Sequence, residues 1–360
     1  MALQQGSMDT TAPILEARNV TKIFGSGVVN KTETVALEDF SFRIDGDSPS
    51  IVAVVGESGS GKTTLVRLLL GLTPPTTGEV TYRGKPLKSL SKAEKQHYLK
   101  DVQAVFQDPF EVYNPFYKVD HILELPIKYF KLAKNKADAR QLMETSLSAV
   151  GLRPDETLGR YPHQLSGGQR QRIMVARSLI MQPKVIIADE PVSMVDASLR
   201  ATILDSLMTL NRDFGISLIY ITHDLTTAYQ ISKDVIVLYR GTVSEVGNVE
   251  RVVPQPEHPY TKLLVGSIPV PDPDAPWLGE KGLGEPVMGL EPAGASFCRF
   301  YQRCPWAMPV CVEQTPPLFR TAEDRATSCF LYAESPAIES TQLNDVMAGT
   351  DGVVAGRAER

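Results

Sequence analysis

Eight consecutive residues have the composition of a phosphate-binding loop. They are Gly56, Glu57, Ser58, Gly59, Ser60, Gly61, Lys62 and Thr63, which fit the pattern G-x-x-x-x-G-K-[ST]. Glycines let backbone N–H groups close around phosphate oxygens, and a following helix N-terminus adds partial positive charge. Lys62 would reach the β- and γ-phosphates, the Thr63 hydroxyl would hold Mg²⁺, and Thr64 adjoins the same site.

The residues around this loop support a nucleotide site over the alternative of a plain glycine-rich turn entering a helix. The apolar run Ile51–Val55 precedes the loop, and a helical pattern through Leu70 follows it. A strand before the motif and a helix after it are the setting that the motif requires. We therefore predict a nucleoside triphosphate as the ligand.

Two neighbouring carboxylates end another apolar run. Val185–Asp189 predicts a buried strand that delivers Asp189 and Glu190 to its carboxyl end, where ligands of open α/β sheets gather. Asp189 is placed to hold Mg²⁺, and Glu190 to activate the attacking water. Apolar strands that end in acids are common, so this pair alone does not establish the chemistry.

Two further polar residues follow predicted strands. Gln107 comes after the strand 102–106 and could contact Mg²⁺ and water, or be a loop amide. His223 comes after Ser217–Thr222 and could hydrogen-bond the γ-phosphate and the attacking water. His223 could equally be a turn residue, with Thr222 or Asp224 capping the next helix.

A second anion-binding turn opens the predicted helix 170–180. Its residues are Leu165, Ser166, Gly167, Gly168 and Gln169. A Ser-Gly-Gly turn at a helix N-terminus can bind an anion. Because the chain already has a phosphate loop, the natural ligand is the γ-phosphate of an ATP held by a second subunit. A serine that only caps an amphipathic helix is the alternative.

The order of these motifs resembles the ABC ATPases. That resemblance implies that Phe24 stacks on adenine, that Ser166, Gly167, Gly168 and Gln169 are the signature, and that Asp196 belongs to the loop between the two sites. It also implies a head-to-tail dimer enclosing two ATP molecules, with Lys62, Glu190 and His223 catalytic and Thr63, Gln107 and Asp189 on Mg²⁺. Phe24 replaces the more usual tyrosine, and Ser-Met-Val-Asp at 193–196 departs from the usual Ser-Ala-Leu-Asp.

The C-terminal part is similar to the oligopeptide/dipeptide importer subfamily of ABC ATPases. His258, Pro259, Tyr260, Thr261, Leu263 and Leu264 precede a cysteine-containing extension, and the resemblance covers roughly residues 13–332. It implies a second ATPase subunit, identical or a sister chain, two integral membrane permeases and an extracytoplasmic solute-binding protein. It places the chain peripherally on the cytoplasmic face of the membrane. The cargo stays open between peptides, nickel, opines and oligosaccharides. The subfamily works with two related types of ATPase subunit, one of which tends to carry methionine at the position of Gln169. Gln169 therefore favours the second type for this chain.

Four cysteines lie close together in the sequence. Cys298, Cys304, Cys311 and Cys329 have 5, 6 and 17 residues between them. A cytoplasmic chain keeps thiols reduced, which argues against disulfides and suggests a metal. Zinc sites usually contain a C-x-x-C pair, absent here, whereas iron–sulfur clusters accept irregular spacing. The subfamily resemblance favours a [4Fe-4S] cluster; zinc and four buried thiols without metal are the alternatives.

These side chains require an α/β framework. Short β-rich runs alternate with helical patterns from Leu15 to about Tyr239, which predicts a parallel sheet covered by helices. With the resemblance, the fold class is α/β, a P-loop NTPase of the ABC ATPase type with a small antiparallel β portion. We predict the ATPase domain over 13–266 with an inserted helical subdomain at about 108–182, a Cys-rich module over 267–332, and disorder over 1–12 and 335–360.

Composition excludes several other functions. The 360 residues carry a formal charge of -5, so a protein whose main task is gripping nucleic acid is disfavoured, and we expect no nucleic-acid partner. We expect no membrane-spanning segment and no secretory signal. An ABC ATPase acting on nucleic acid or ribosomes is disfavoured, because such proteins usually carry two ATPase units or a long coiled coil and this sequence shows neither. A non-catalytic nucleotide-binding module is disfavoured because Lys62, Glu190 and His223 are intact.

Overall fold

The computed structural model describes residues 12–26, 32–108, 112–268, 287–292, 294 and 296–348. The chain divides into two compact units. We call residues 1–14, 44–51 and 82–221 the signature unit, and residues 15–43, 52–81 and 222–360 the P-loop unit. None of the helices within the described ranges is long and apolar enough to span a bilayer.

The P-loop unit contains two groups of hydrogen-bonded strands. Its strands are β1 Leu15–Ser26, β2 Thr32–Ile44, β3 Ile51–Val55, β4 Thr77–Tyr82, β9 Asp234–Tyr239, β10 Thr242–Asn248, β11 Leu318–Ala322, β12 Arg325–Thr327 and β13 Ala337–Ile338. One group has the order β2-β1-β4, and the other β13-β11-β12-β10-β9-β3. β3 runs parallel to β9, with Val52 opposite Asp234, and all five residues of β3 are buried.

Short helices complete the P-loop unit. They are α1 Lys62–Leu69, α8 Leu225–Ile231, α9 Val249–Val252, α10 Pro259–Gly266, α11 Val310–Glu313 and α12 Leu343–Ala348. The apolar face of α1 is buried through Leu65, Val66, Leu68 and Leu69. Burial of this face, rather than helix propensity, stabilises so short a helix and thereby fixes the loop that precedes it.

The signature unit joins a parallel sheet to a layer of helices. Its elements are β5 Lys85–Pro86, β6 Val102–Val105, β7 Val185–Asp189, β8 Ser217–Thr222, α2 Lys92–Asp101, α3 Asp120–Phe130, α4 Lys136–Ala149, α5 Pro154–Thr157, α6 Gly167–Ile180 and α7 Ala197–Phe214. β7 lies between β6 and β8 and is parallel to both. Helix α6 is the core of the helical layer and packs against α3, α4 and α7.

The structure confirms the α/β class and the bounds of the central strands. Ile51–Val55, Val185–Asp189 and Ser217–Thr222 are strands over the residues expected from sequence. Each is buried over most or all of its length, so hydrophobicity alone locates it. The predicted helical insertion contains α3, α4, α5 and α6.

The Cys-rich segment continues the sheet of the P-loop unit. β12 pairs antiparallel with β10, with Glu245 opposite Thr327 and Gly247 opposite Arg325. β10 lies before the predicted domain boundary near residue 266 and β12 lies after it, yet the two strands belong to one sheet.

The expectation of disorder over residues 335–360 differs from the structure up to Ala348. Leu343 and Val346 of α12 are fully buried. Asn344 Oδ1 accepts from the Arg43 N–H at 2.8 Å, and Asn344 Nδ2 donates to the Arg43 carbonyl at 2.7 Å. With Met347, three buried apolar side chains hold this short helix in a segment that is otherwise poor in large apolar residues. Residues 1–11 and 349–360 lie outside the described residues.

Candidate ATP-binding site

The phosphate loop joins β3 to α1, and two of its glycines have no sterically acceptable substitute. Gly61 has φ 108°, and a Cβ there would lie 2.5 Å from the Ala36 carbonyl oxygen. A Cβ on Gly56 would lie 2.3 Å from the carbonyl oxygen of Leu238. Only glycine permits both the backbone conformation and this close approach of neighbouring chain segments.

Lys62 and Ser60 place buried polar groups inside the loop. The Lys62 side chain is only 7% exposed, and its Nζ donates to the carbonyls of Gly56 at 2.5 Å and Glu57 at 2.9 Å. Ser60 is 2% exposed, and its Oγ has no hydrogen-bond partner among the described residues. A buried hydroxyl without a partner is costly, and a phosphate oxygen would satisfy it. The loop thus fits the phosphates of a nucleotide.

The second residue of the loop is held from the C-terminal part of the chain. The Arg303 guanidinium contacts both carboxylate oxygens of Glu57, with Nη1 at 2.9 and 3.2 Å and Nη2 at 3.3 Å. The backbone N–H of Glu57 donates to the Tyr260 hydroxyl at 2.8 Å. Sequence reasoning found Tyr260 only as part of a hallmark and did not find Arg303, because no local motif surrounds it.

In the signature unit, the structure brings Gln107 and Glu190 together. Gln107 Nε2 donates to Glu190 Oε2 at 3.2 Å. Glu190 has φ 46°, an unfavourable conformation for a residue with a Cβ. Its N–H donates to the Ile221 carbonyl at 2.8 Å, and its own carbonyl accepts from Ser193 Oγ at 3.0 Å. The backbone on both sides therefore holds a strained residue whose carboxylate faces an amide.

The signature residues form an N-terminal cap. Helix α6 begins at Gly167, earlier than the predicted residue 170, with Ser166 as its N-cap. Ser166 Oγ accepts from the Gln169 N–H at 3.2 Å, and Gln169 Oε1 accepts from the Ser166 N–H at 2.9 Å. Capping and phosphate binding are compatible, because a hydroxyl that accepts one bond still carries a donor proton. A Cβ on Gly168 would lie 2.8 Å from Leu199 Cδ1.

The remaining predicted residues lie on separate elements. Phe24 is 44% exposed on β1, with Lys22 Nζ 5.1 Å from its ring centroid. Asp196 is exposed at the start of α7, and Asp189 is the last residue of β7. His223 is exposed directly after β8 and is followed by Asp224, whose Oδ1 caps α8 by accepting from Thr226 N–H at 2.8 Å.

The four cysteines are free thiols that line one small cavity. Its other lining residues are mostly apolar, and His258 also lies on the wall. Burial raises the pKa of Cys298 to about 11 and that of Cys329 to about 12. Over the described ranges, no group of three or more His, Cys, Asp or Glu side chains is arranged to hold a metal ion. The thiols thus share a cavity without forming a single-ion site.

Two family profiles match the chain. The profile described as ABC transporter matches residues 37–193, and the one described as oligopeptide/dipeptide transporter, C-terminal region, matches residues 244–311. Relatives include the oligopeptide transport ATP-binding protein OppF of Salmonella typhimurium, 40% identical over 278 residues, 77% of this chain and 83% of OppF. The di/tripeptide transport ATP-binding protein DppF of Pseudomonas aeruginosa is 37% identical over 322 residues, 88% of this chain and 97% of DppF.

The solved structures agree with this placement. A dimeric post-hydrolysis state of the ATP-binding cassette MJ0796, bound to ADP and Pi, matches with a TM-score of 0.57 and 28% identity. The match covers 65% of this chain and 98% of that chain. The phosphate loop, the matched profiles and relatives similar over most of both chains lead to one conclusion: the chain belongs to the ABC transporter ATP-binding proteins of the oligopeptide/dipeptide type, which bind and hydrolyse ATP.

Proposed function

We propose that this chain hydrolyses ATP to power the import of peptides through partner permeases. The observation that carries the proposal is the phosphate loop, with its buried Lys62 and the unpartnered buried hydroxyl of Ser60. The names of OppF and DppF favour oligopeptides or short peptides as cargo over nickel, opines or oligosaccharides. In this proposal the chain works peripherally on the cytoplasmic face of the membrane, beneath two permeases fed by an extracytoplasmic solute-binding protein.

Each predicted residue then has a defined role in hydrolysis. The loop N–H groups and Lys62 bind the β- and γ-phosphates, and Thr63, Gln107 and Asp189 are the residues that would hold Mg²⁺. Glu190 takes a proton from water as the water oxygen bonds the γ-phosphorus and the bond to the bridging oxygen of ADP breaks. His223 hydrogen-bonds the γ-phosphate.

The signature supplies the second half of each ATP site. The signature of one subunit, Ser166, Gly167, Gly168 and Gln169, contacts the γ-phosphate of ATP bound by the other. Phe24 of the subunit that binds this ATP stacks on its adenine. The exposed Ser166 at the start of α6 suits a ligand that arrives from outside the subunit. The second ATPase is an identical chain or a sister chain.

Reconstitution tests the transport function. The chain would be assembled in proteoliposomes with its permeases and, where the sister subunit is required, that subunit, and uptake of labelled di- to pentapeptides measured with the solute-binding protein. We expect ATP-dependent uptake, and its loss in Lys62→Ala, because the loop then lacks its phosphate-binding cation. ATP-driven uptake of nickel or an oligosaccharide, with no uptake of peptides, would contradict the assigned cargo.

We further propose that Cys298, Cys304, Cys311 and Cys329 hold a [4Fe-4S] cluster. The donor set fits, since four thiols line one cavity with largely apolar walls and a [4Fe-4S] cluster takes four thiolate ligands. Binding would displace the thiol protons, which burial retains at neutral pH. A cluster would fasten the segments that carry the cysteines and take no part in phosphoryl transfer.

Anaerobic purification tests the cluster. We expect absorption at about 400 nm, roughly four irons and as many acid-labile sulfides per chain. Both should be lost in Cys304→Ser/Cys311→Ser. An iron-free chain with one zinc, or with no metal, would reject the cluster and leave the two alternatives, which metal analysis separates.

A further inference from the structure

Glu57 of the phosphate loop lies where two C-terminal side chains converge. Arg303 contacts both of its carboxylate oxygens, and Tyr260 accepts a hydrogen bond from its N–H. The carbonyl of the same residue accepts from Lys62 Nζ at 2.9 Å. The backbone of Glu57 therefore connects the C-terminal segment directly to the lysine that binds phosphate.

Tyr260 is itself fixed by its surroundings. Its side chain is fully buried, with ring centroids 4.4 Å from Tyr239 and 5.7 Å from Phe300. Its N–H donates to His258 Nδ1 at 3.0 Å at the start of α10, and a further hydrogen bond joins His258 to the backbone of Ser328. A tyrosine held at its ring and at its backbone presents its hydroxyl at a defined point.

Arg303 is fixed in a similar way. Its guanidinium lies 5.7 Å from the centroid of the Phe300 ring, and Arg303 precedes Cys304, which lines the cysteine cavity. Arg303 and Glu57 are 31% and 39% exposed, so a single-point contact would contribute little. Contact with both carboxylate oxygens by a preorganised guanidinium is the geometry in which such a pair gives orientation as well as attraction.

We infer that Arg303 and Tyr260 are positioning residues that set the conformation of the phosphate loop for ATP. The inference rests on the proposed role of the loop. With the carboxylate and the N–H of Glu57 both held, the first peptide group of the loop keeps its orientation before ATP arrives. Loss of either contact lets that group rotate, so binding ATP must order it. The effect falls on nucleotide affinity, because both side chains hold Glu57, a residue of the phosphate loop rather than one of the residues assigned to activate water.

A double-mutant cycle tests the coupling. ATP Kd, KM and kcat would be measured for Arg303→Ala, Glu57→Ala, the double variant, Arg303→Lys and Tyr260→Phe. We expect Kd and KM to rise about two- to fivefold in Arg303→Ala, Glu57→Ala and Tyr260→Phe, with kcat within about twofold of the wild type. The double variant should be no weaker than either single variant. Arg303→Lys should restore only part of the affinity, since an ammonium cannot make the two-point contact.

The chain offers a matched control in Arg299→Ala. Arg299 lies four residues before Arg303 in the same segment and is 21% exposed. Its guanidinium donates to Glu38 Oε2 at 2.7 Å, so it contacts β2 rather than the loop. We expect wild-type Kd in this variant. Lys62→Ala serves as the benchmark for the loop itself.

Three results separate the possible failures. Unchanged Kd in both Arg303→Ala and Tyr260→Phe, or strictly additive effects in the double variant, would overturn the inference while the loss of binding in Lys62→Ala upheld the loop. Full ATP affinity in Lys62→Ala would instead reject the loop assignment. If Arg303→Ala unfolds, Arg303→Lys and Tyr260→Phe still decide, because both retain the bulk of the native side chain.

Discussion

At the scale of single residues, the proposed hydrolytic chemistry depends on how two side chains in the signature unit are held. Glu190 adopts a left-handed backbone conformation that a residue with a Cβ avoids, and hydrogen bonds to Ile221 and Ser193 maintain it. Gln107 donates to its carboxylate. Backbone strain that persists beside a directed carboxylate is typical of a site where geometry matters more than stability.

The proposed role of Glu190 as the base predicts a specific defect in Glu190→Gln. Because an amide cannot accept the proton of the attacking water, turnover at saturating ATP should fall at least about 100-fold, while ATP affinity stays within a few-fold. Phosphate release and equilibrium nucleotide binding would be measured on the same preparation. Glu57→Gln is the control, a glutamate of the phosphate loop whose loss should leave kcat within about twofold. An undiminished rate in Glu190→Gln would remove it from the mechanism.

Sequence reasoning identifies residues that act through local patterns and misses those that act through distant contacts. The phosphate loop and the signature turn each occupy one continuous segment, so spacing alone locates Lys62 and Ser166. Arg303 meets Glu57 across 246 positions of sequence, and nothing near Arg303 marks it. Only the fold of the P-loop unit brings these two residues together.

At the scale of elements, a buried ion pair joins the C-terminal strands to the rest of the P-loop unit. Arg325 on β12 donates through Nε to Glu245 Oε1 on β10 at 3.1 Å, and the Glu245 side chain is fully buried. Glu245 Oε2 also accepts from the His258 N–H at 2.9 Å. Burial raises the pKa of Glu245 despite the nearby cation, so the charge depends on its partners.

Arg325→Ala should therefore destabilise the chain by about 3–5 kcal/mol, because a buried carboxylate is left without its cation. Glu245→Met/Arg325→Met should lose less, since the fully buried carboxylate is removed together with its cation and only the partly exposed Glu257 loses a partner. Urea unfolding would measure both, with limited proteolysis at the C-terminal strands. Lys128→Ala breaks an exposed pair with Glu124, where the lysine is 70% exposed, and should change stability by under about 0.5 kcal/mol. Equal losses of unfolding free energy in Arg325→Ala and Lys128→Ala would contradict the stabilising role of the Arg325–Glu245 ion pair.

The elements also show where sequence patterns suffice. A continuous apolar run such as Val185–Asp189 is recognisable because both faces of a central strand are buried. β12 is only three residues long, Arg325–Thr327, and carries an arginine and a threonine, so no pattern separates it from a loop. Its pairing with β10 joins distant parts of the sequence, so no local pattern reveals that the two strands share one sheet.

At the scale of the whole molecule, the role of the signature in dimer formation can be tested separately from the folding and ATP binding of the subunit that carries it. Ser166 caps α6, and aspartate and asparagine cap helices as well as serine does. Ser166→Asp should keep the fold and ATP binding at its own phosphate loop, but set a carboxylate against the γ-phosphate of ATP bound by the second subunit. Ser166→Asn keeps the cap without the charge.

In the Glu190→Gln background, light scattering with ATP should show dimers for the parent chain, or for its mixture with the sister chain. Ser166→Asn should still dimerise, though more weakly, and Ser166→Asp should remain monomeric at the same protein concentration. Equal dimerisation of the Asp and Asn variants would show that no phosphate lies against this turn, and the head-to-tail arrangement would have to be abandoned.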